Sequence, residues 1–247
     1  MKARVHGVEL DPRAISGLTD RESQKRRAAA RAVGFVQSGM RLGLGTGSTA
    51  RHVTTLVGER LRTGELRDIL CVPTSRATAD YARELGIPLS TIDATPSLDL
   101  AIDGADEFDP QLDLIKGMGG ALLWEKIVEG AAERLVIVAD ESKRVTRLGT
   151  RSPLPLEVVP FGWRLLEPFI ASLGATAELR RNPDGTPFLT DGGHYILHCR
   201  FAAGIVDPAT LELSLARRPG VVESGLFIGM ATTVVVAGDG VELLERP

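Results

Sequence analysis

Cysteine and histidine are scarce in this chain. Only Cys71 and Cys199 are present, far apart and each within an apolar run. That excludes a disulfide framework or a paired-thiol motif, and two buried free thiols are expected. The histidines are His6, His52, His194 and His198. His194 and His198 have i,i+4 spacing, but HYILHCRF alternates like a strand and no further ligands cluster nearby, so no metal site is expected. Basic charge is also short: the net charge of −3 leaves no electrostatic footprint for nucleic acid. No apolar run reaches the roughly 18 residues that span a bilayer. The opening MKARVHGVELDPRAISGL lacks the apolar core of a signal peptide. The expectation is a short N-terminal extension on a cytoplasmic protein, with neither nucleic acid nor membrane as partner.

What is present is an ordinary globular composition, 43% apolar over 247 residues, enough for a large core and a second, smaller domain. Thr19 and Glu22 read as a capping box opening a helix to about Val36, stopped by Ser38-Gly39. MRLGLG reads as a strand, TGSTARHVTTLVGERL as a helix, ILCVPT as a strand, RATADYARELG as a helix, and PLSTID and LDLAID as strands. GALLWEKIVEGAAERL follows as a helix and LVIVAD as a strand. Strands alternating with helices predict an α/β fold with a doubly wound, mostly parallel, Rossmann-like sheet. Near Gly149 the rhythm changes. The order strand (156–159), helix (163–173), strand (176–181), strand (195–201), helix (209–216), strand (221–223) is β-α-β-β-α-β, a ferredoxin-like α+β pattern. LFIGMATTVVVAG then returns to the first sheet. The expected domains are 1–152 with 225–247 for the Rossmann-like part and 153–224 for the insertion.

In an open α/β sheet, ligands bind beyond the carboxyl ends of the strands. Gly45-Thr46-Gly47-Ser48-Thr49 joins a strand to a helix. Its glycines expose backbone N–H groups, and a helix N-terminus favours an anion. A phosphate cradle is one reading and a tight turn with a Ser/Thr cap the other. It is not a Walker A loop, because no lysine precedes Ser48. Asp103-Gly104-Ala105-Asp106-Glu107 places carboxylates at a strand end, where Asp103 and Asp106 suit sugar hydroxyls, or else an acidic loop with Asx turns. Glu125 has Ala121, Leu122, Val128 and Ala132 as its helical neighbours, with Glu129 of like charge. It therefore lies on a core-facing stripe with no helical cation to pair with, and burial raises a carboxyl toward the range of a proton-transfer base. Lys116, beside Gly117-Met118-Gly119-Gly120, suits a developing oxyanion. Lys143, after Asp140-Glu141-Ser142, suits a phosphate or a loop cap.

GLGTGSTA, IDGADEFD, KGMGGALLWEK and ADESK, in that order, resemble the type A ribose-5-phosphate isomerases, with similarity running from about Lys25 to Gly238. The resemblance implies interconversion of ribose 5-phosphate and ribulose 5-phosphate in the pentose phosphate pathway, by a homodimer without cofactor. It implies Glu125 as the base, with Asp103, Asp106 and Lys116 also catalytic and Asp103 assisting ring opening. It implies substrate contacts from Thr46, Gly47, Ser48, Thr49, Gly104, Ala105, Gly117, Met118 and Gly119, and phosphate contacts from Lys143 and Lys25. Met118 stands where glycine is often found, so a backbone contact is expected. Trp124 replaces a common arginine beside the base. Two other functions fit parts of the pattern. A non-catalytic sugar-phosphate sensor would need a DNA-binding module, for which the residues before Lys25 are too few. A coenzyme A transferase-like enzyme would use glutamate as a nucleophile.

Overall fold

The computed structural model describes residues 20–246. It opens with α1 (Asp20–Val33). The expected cap at Thr19 lies outside the described residues. The helix stops at Val33 rather than near Val36, because Gly34 follows and Phe35 and Val36 bond back to Ala32 and Val33 in a tightened last turn. Ala28, Ala29, Ala32 and Val33 are fully buried; their small side chains let α1 lie directly on the sheet.

The central sheet is built from β1 (Arg41–Leu44), β2 (Leu70–Pro73), β3 (Leu100–Gly104), β6 (Leu135–Asp140), β12 (Thr233–Ala237) and β13 (Val241–Glu245). Its order is β13-β12-β6-β3-β1-β2, and every pairing is parallel except β12 with β13. β6 and β12 are buried along their whole length, as strands covered on both faces must be, which is why LVIVA and VVVA carry no alternation. Between β1 and β2 runs α2 (Ser48–Arg62), and after β2 comes α3 (Arg76–Glu84). PLSTID forms no strand. Cys71 bridges Leu89 alone, with Pro88 lacking an N–H, and Thr91 then turns the chain toward Thr95. α4 (Leu122–Gly130) is shorter than expected and ends at Gly130.

Two-residue strands β4 (Glu107–Phe108), β5 (Leu114–Ile115) and β11 (Leu226–Phe227) form a small third sheet that the sequence reading missed. Pairs of residues are too short to show a period.

Residues 154–224 form β7 (Leu154–Val158), a 3₁₀ turn (Trp163–Leu166) running into α5 (Glu167–Ser172), β8 (Ala175–Leu179), β9 (Tyr195–Phe201), α6 (Pro208–Ala216) and β10 (Val221–Ser224). Their sheet has the order β10-β7-β9-β8 and is antiparallel throughout, the ferredoxin-like arrangement. It packs its own core of Leu156, Val158, Ile170, Leu197 and Leu215. The molecule is thus α/β with a mostly parallel central sheet and a separate antiparallel sheet. Lys126 of α4 ties the two together through Glu212 at 3.1 Å and Glu223 at 2.8 Å.

Candidate active site

β2 and β3 leave β1 on opposite sides, so the strand order reverses between β1 and β3. A crevice opens at the carboxyl ends of such neighbours. Here the loops after β1 and β3 meet. Gly45 passes so close to β3 that a Cβ on it would lie 2.1 Å from the Asp103 carboxyl, so only glycine fits. The Thr46 N–H donates to Asp103 at 3.0 Å, and the Thr46 hydroxyl joins those of Thr74, Ser75 and Thr78. Gly47, at φ 110°, is the N-cap of α2 and supplies no side-chain cap. Of the two sequence readings of this loop, the capped turn is therefore not what forms. The helix keeps uncapped N–H groups facing outward, which favours an anion.

Beneath this loop is a cavity of about 150 Å³ lined by Arg21, Lys25, Thr46, Gly47, Ser48, Thr49, Gly104, Ala105, Asp106, Lys116, Gly117, Gly119, Glu125, Asp140 and Lys143. Its lining includes the basic side chains Arg21, Lys25, Lys116 and Lys143. Lys25 Nζ lies 3.0 Å from Ser48 Oγ and 2.6 Å from Glu22. Lys143 follows Asp140, whose carboxylate accepts the Ser142 N–H and shapes the turn. Glu125 and Lys116, both almost wholly buried, line the same cavity. A larger cleft of about 600 Å³, bounded by Phe108, Arg144, Val145 and Leu244, shares no lining residue with this cavity. Its Arg144 is already paired with Glu141 and Glu242. The convergent acid–base groups are in the smaller cavity.

Lys116 leaves β5 and points inward. Its ammonium donates to the Gly104 carbonyl at 2.6 Å and stands 2.9 Å from Asp103, 3.2 Å from Glu129 and 3.5 Å from Glu125. Glu125 is therefore not without a cation, as its helical neighbours suggested; the partner comes from a different element. Glu125 Oε2 nevertheless accepts no hydrogen bond. Burial pushes its carboxyl from an ordinary 4.5 up to about 8, with Lys116 opposing the shift and Asp103 and Asp106 adding to it. Burial alone would lower the Lys116 ammonium, but the surrounding carboxylates hold it well above its ordinary value. Burial raises Asp106 as well, tempered by the Met118 N–H it accepts at 2.9 Å and by Lys143 and Lys116. Asp103, Glu125 and Glu129 offer oxygens within 4.8 Å of one another, a spacing able to hold a metal ion. Here the Lys116 ammonium stands among them and supplies the positive charge.

Two expected ligand residues are absent from the cavity lining. Asp103 is 1% exposed, accepts the Thr46 N–H and stands 2.9 Å from Lys116. Met118 does not line the cavity either. Its peptide is clamped, N–H to Asp106 and carbonyl to Arg180 at 2.9 Å. Arg180 comes from the antiparallel sheet and stacks on Phe188 at 3.7 Å. Trp124, which stands where arginine is common in the resembling family, faces the guanidinium of Arg76 at 6.0 Å. Sequence reasoning missed Arg21, Arg180 and Glu129. Arg21 precedes the first recognisable motif, Arg180 lies in the other sheet, and Glu129 looked like a like-charge neighbour only.

A small crevice lined both by an uncapped helix start with lysines and by a buried, elevated carboxyl beside an ammonium defines an α/β enzyme that moves protons on a phosphorylated small molecule. Residues 70–240 match the family described as ribose 5-phosphate isomerase A (phosphoriboisomerase A). The ribose-5-phosphate isomerase A of Roseiflexus castenholzii is 55% identical over 90% of this chain and 95% of its own length. That of Rhodopseudomonas palustris is 53% identical over 92% and 99%. A D-ribose-5-phosphate isomerase solved in complex with phospho-erythronic acid superposes with a TM-score of 0.90 at 41% identity, covering 92% of this chain and all of that one. The ribose 5-phosphate isomerase of Plasmodium falciparum superposes with a TM-score of 0.88 at 38% identity, covering 91% of this chain and 99% of that one. The chain belongs to the ribose 5-phosphate isomerase A family.

Proposed function

We propose that this chain interconverts ribose 5-phosphate and ribulose 5-phosphate, with Glu125 as the base of a proton transfer through an enediolate. The observation that carries the reading is that Glu125 and Lys116 line the same cavity as the uncapped start of α2, Lys25 and Lys143. The phosphate binds at the start of α2, held by Lys25, Lys143, Ser48, Thr49 and the N–H groups after Gly47. The opened sugar then lies along Gly104, Ala105, Gly117 and Gly119. Glu125 removes the proton from C2 of the aldose, the electron pair forms the C1–C2 double bond, and the negative charge moves onto O1. Lys116 and the backbone at Gly117–Gly119 stabilise that oxygen, where preorganised donors act most strongly. Glu125 returns its proton to C1 while a second proton passes from O2 to O1. Asp106, which lines the cavity and whose carboxyl is raised, manages the hydroxyl protons and ring opening; Asp103 acts behind it by orienting Lys116.

The phospho-erythronic acid held by the solved relative supports a phosphorylated ligand of sugar size here. The reading includes a cytoplasmic homodimer with 153–224 as an inserted domain and no nucleic-acid or membrane partner. Among the described residues no helix is long and apolar enough to cross a membrane. A coupled assay on ribose 5-phosphate beside arabinose 5-phosphate and glucose 6-phosphate tests the reaction. Turnover restricted to ribose 5-phosphate is expected, and its absence refutes the proposal. Light scattering on the eluting peak tests the dimer.

A further inference from the structure

Glu129 takes no part in the mechanism above, yet it is buried as deeply as the base. It sits one helical turn beyond Glu125 on the same face of α4, is 2% exposed, and lines no part of the cavity. The groups facing it are Lys116 from the end of β5, Asp103 from the end of β3 and Glu125 from its own helix, with Phe227 of β11 covering Lys116 at 5.3 Å. Lys116 approaches Oε1 at 3.2 Å, but neither oxygen of Glu129 accepts a hydrogen bond. A carboxylate oxygen of Asp103 lies within 4.8 Å of one of Glu129, and Asp103 Oδ2 itself stands 2.9 Å from the Lys116 ammonium. Two ionised carboxylates have only acceptors to offer each other.

A charge count exposes the problem. Asp103, Glu125 and Glu129 surround one ammonium, and all are nearly removed from water. Ionised together they leave two uncompensated negative charges in the interior, which is prohibitively costly. One proton on Glu129 cancels a charge and places a donor among carboxylate oxygens that lie within 4.8 Å of one another. Glu125 is the poorer home for a permanent proton, because it faces the cavity and must exchange one.

We propose that Glu129 is a positioning residue for the isomerisation: a carboxylic acid that stays protonated, donates to Asp103, and leaves the charge of Lys116 to Glu125 and the substrate oxyanion. Burial raises its carboxyl well above the ordinary range, with the neighbouring carboxylates adding to the shift and Lys116 opposing it. The inference rests on the proposed roles of Glu125 and Lys116. It explains how three carboxylates share one lysine without taking the base out of its working range.

The test separates it from that reading. Infrared difference spectra of the wild type against Glu129→Gln at neutral pH read protonation without any turnover. Loss of a protonated carboxyl C=O band is expected, and loss of carboxylate bands alone overturns the proposal. Kinetics give the second readout. In Glu129→Leu, Asp103 loses the proton donated to it and holds Lys116 more strongly against Glu125, so the acid limb of the kcat/KM profile should move up by about one pH unit. Its kcat should fall about tenfold, with KM changed less than twofold. Glu129→Gln keeps a neutral donor and acceptor and should recover most of that loss. Equal impairment of the two variants, or a leucine variant with the wild-type limb and kcat, overturns the inference. Should Glu129→Leu fail to fold, the infrared result on Glu129→Gln decides alone. An inactive wild type, or an active Glu125→Gln, counts against the proposed function and leaves the infrared result unaffected.

Discussion

The sharpest consequence of the site concerns how the rate depends on pH. Glu125 must be ionised to accept the C2 proton, and its carboxyl is raised to about 8. At pH 7 about one tenth of the free enzyme then carries the base in working form, and at pH 9 about nine tenths. The value of kcat/KM should accordingly rise about tenfold between pH 7 and pH 9, since that ratio reports the free enzyme. Replacement of Glu125 by Gln should remove this limb and lower kcat by about 10²- to 10⁴-fold, the usual worth of a positioned general base. Asp106 faces the same cavity but is no substitute, because its carboxylate is tied to the Met118 N–H. Glu125→Asp tests position separately from chemistry. It retains a titrating base, so the limb survives, but the displaced carboxyl should cost about 10²-fold. The assay is a coupled measurement on ribose 5-phosphate across the pH range, with circular dichroism confirming that each variant is folded. A Glu125→Gln enzyme with more than a tenth of wild-type kcat, or one that keeps the acid limb, refutes the assignment.

Lys143→Ala and Thr49→Ala should raise KM about 10- to 100-fold with kcat little changed. Hydrogen bonds to charged groups are worth about 1.5–3 kcal/mol, and the phosphate does not react; a fall in kcat at constant KM contradicts that division of labour. Exhaustive chelation should leave activity intact because Lys116 fills the centre of the Asp103–Glu125–Glu129 cluster; stoichiometric zinc or manganese whose removal abolishes turnover would overturn this. Turnover in D₂O should place deuterium at C1 of ribulose 5-phosphate, read by NMR; no deuterium together with an active Glu125→Gln rules out the proton-transfer path. Gly45→Ala drives a Cβ into the Asp103 carboxyl. It should lower stability by about 1–3 kcal/mol, as overpacking does, and cost activity by shifting Lys116; urea melts and kinetics matching the wild type contradict the close approach.

Much of this architecture is local in origin and therefore readable from the chain. The unbroken apolar runs of β6 and β12 announce a sheet covered on both faces, and the change of rhythm after Gly149 announces a second sheet. Glycine on either side of Thr46 announces a strand-to-helix turn open to an anion. Ala121, Leu122 and Val128 place Glu125 on a buried face by helical period alone. What the period cannot reveal is which residues arrive from elsewhere. Lys116 reaches Glu125 because β5 pairs with β4 and β11, strands of two residues that leave no pattern. Asp103 ends a strand, but that it accepts from Thr46 and stands beside Lys116 depends on the close passage of Gly45, which no local pattern shows. Arg180 holds the Met118 peptide from another sheet. Glu129 appeared only as a repulsive neighbour of Glu125, since spacing along a helix carries no information about a shared proton. The sequence thus determined the main helices and strands and the buried face on which Glu125 lies. The tertiary structure alone decided the charge balance around that base, because burial and pairing between distant segments set whether a carboxyl keeps its proton.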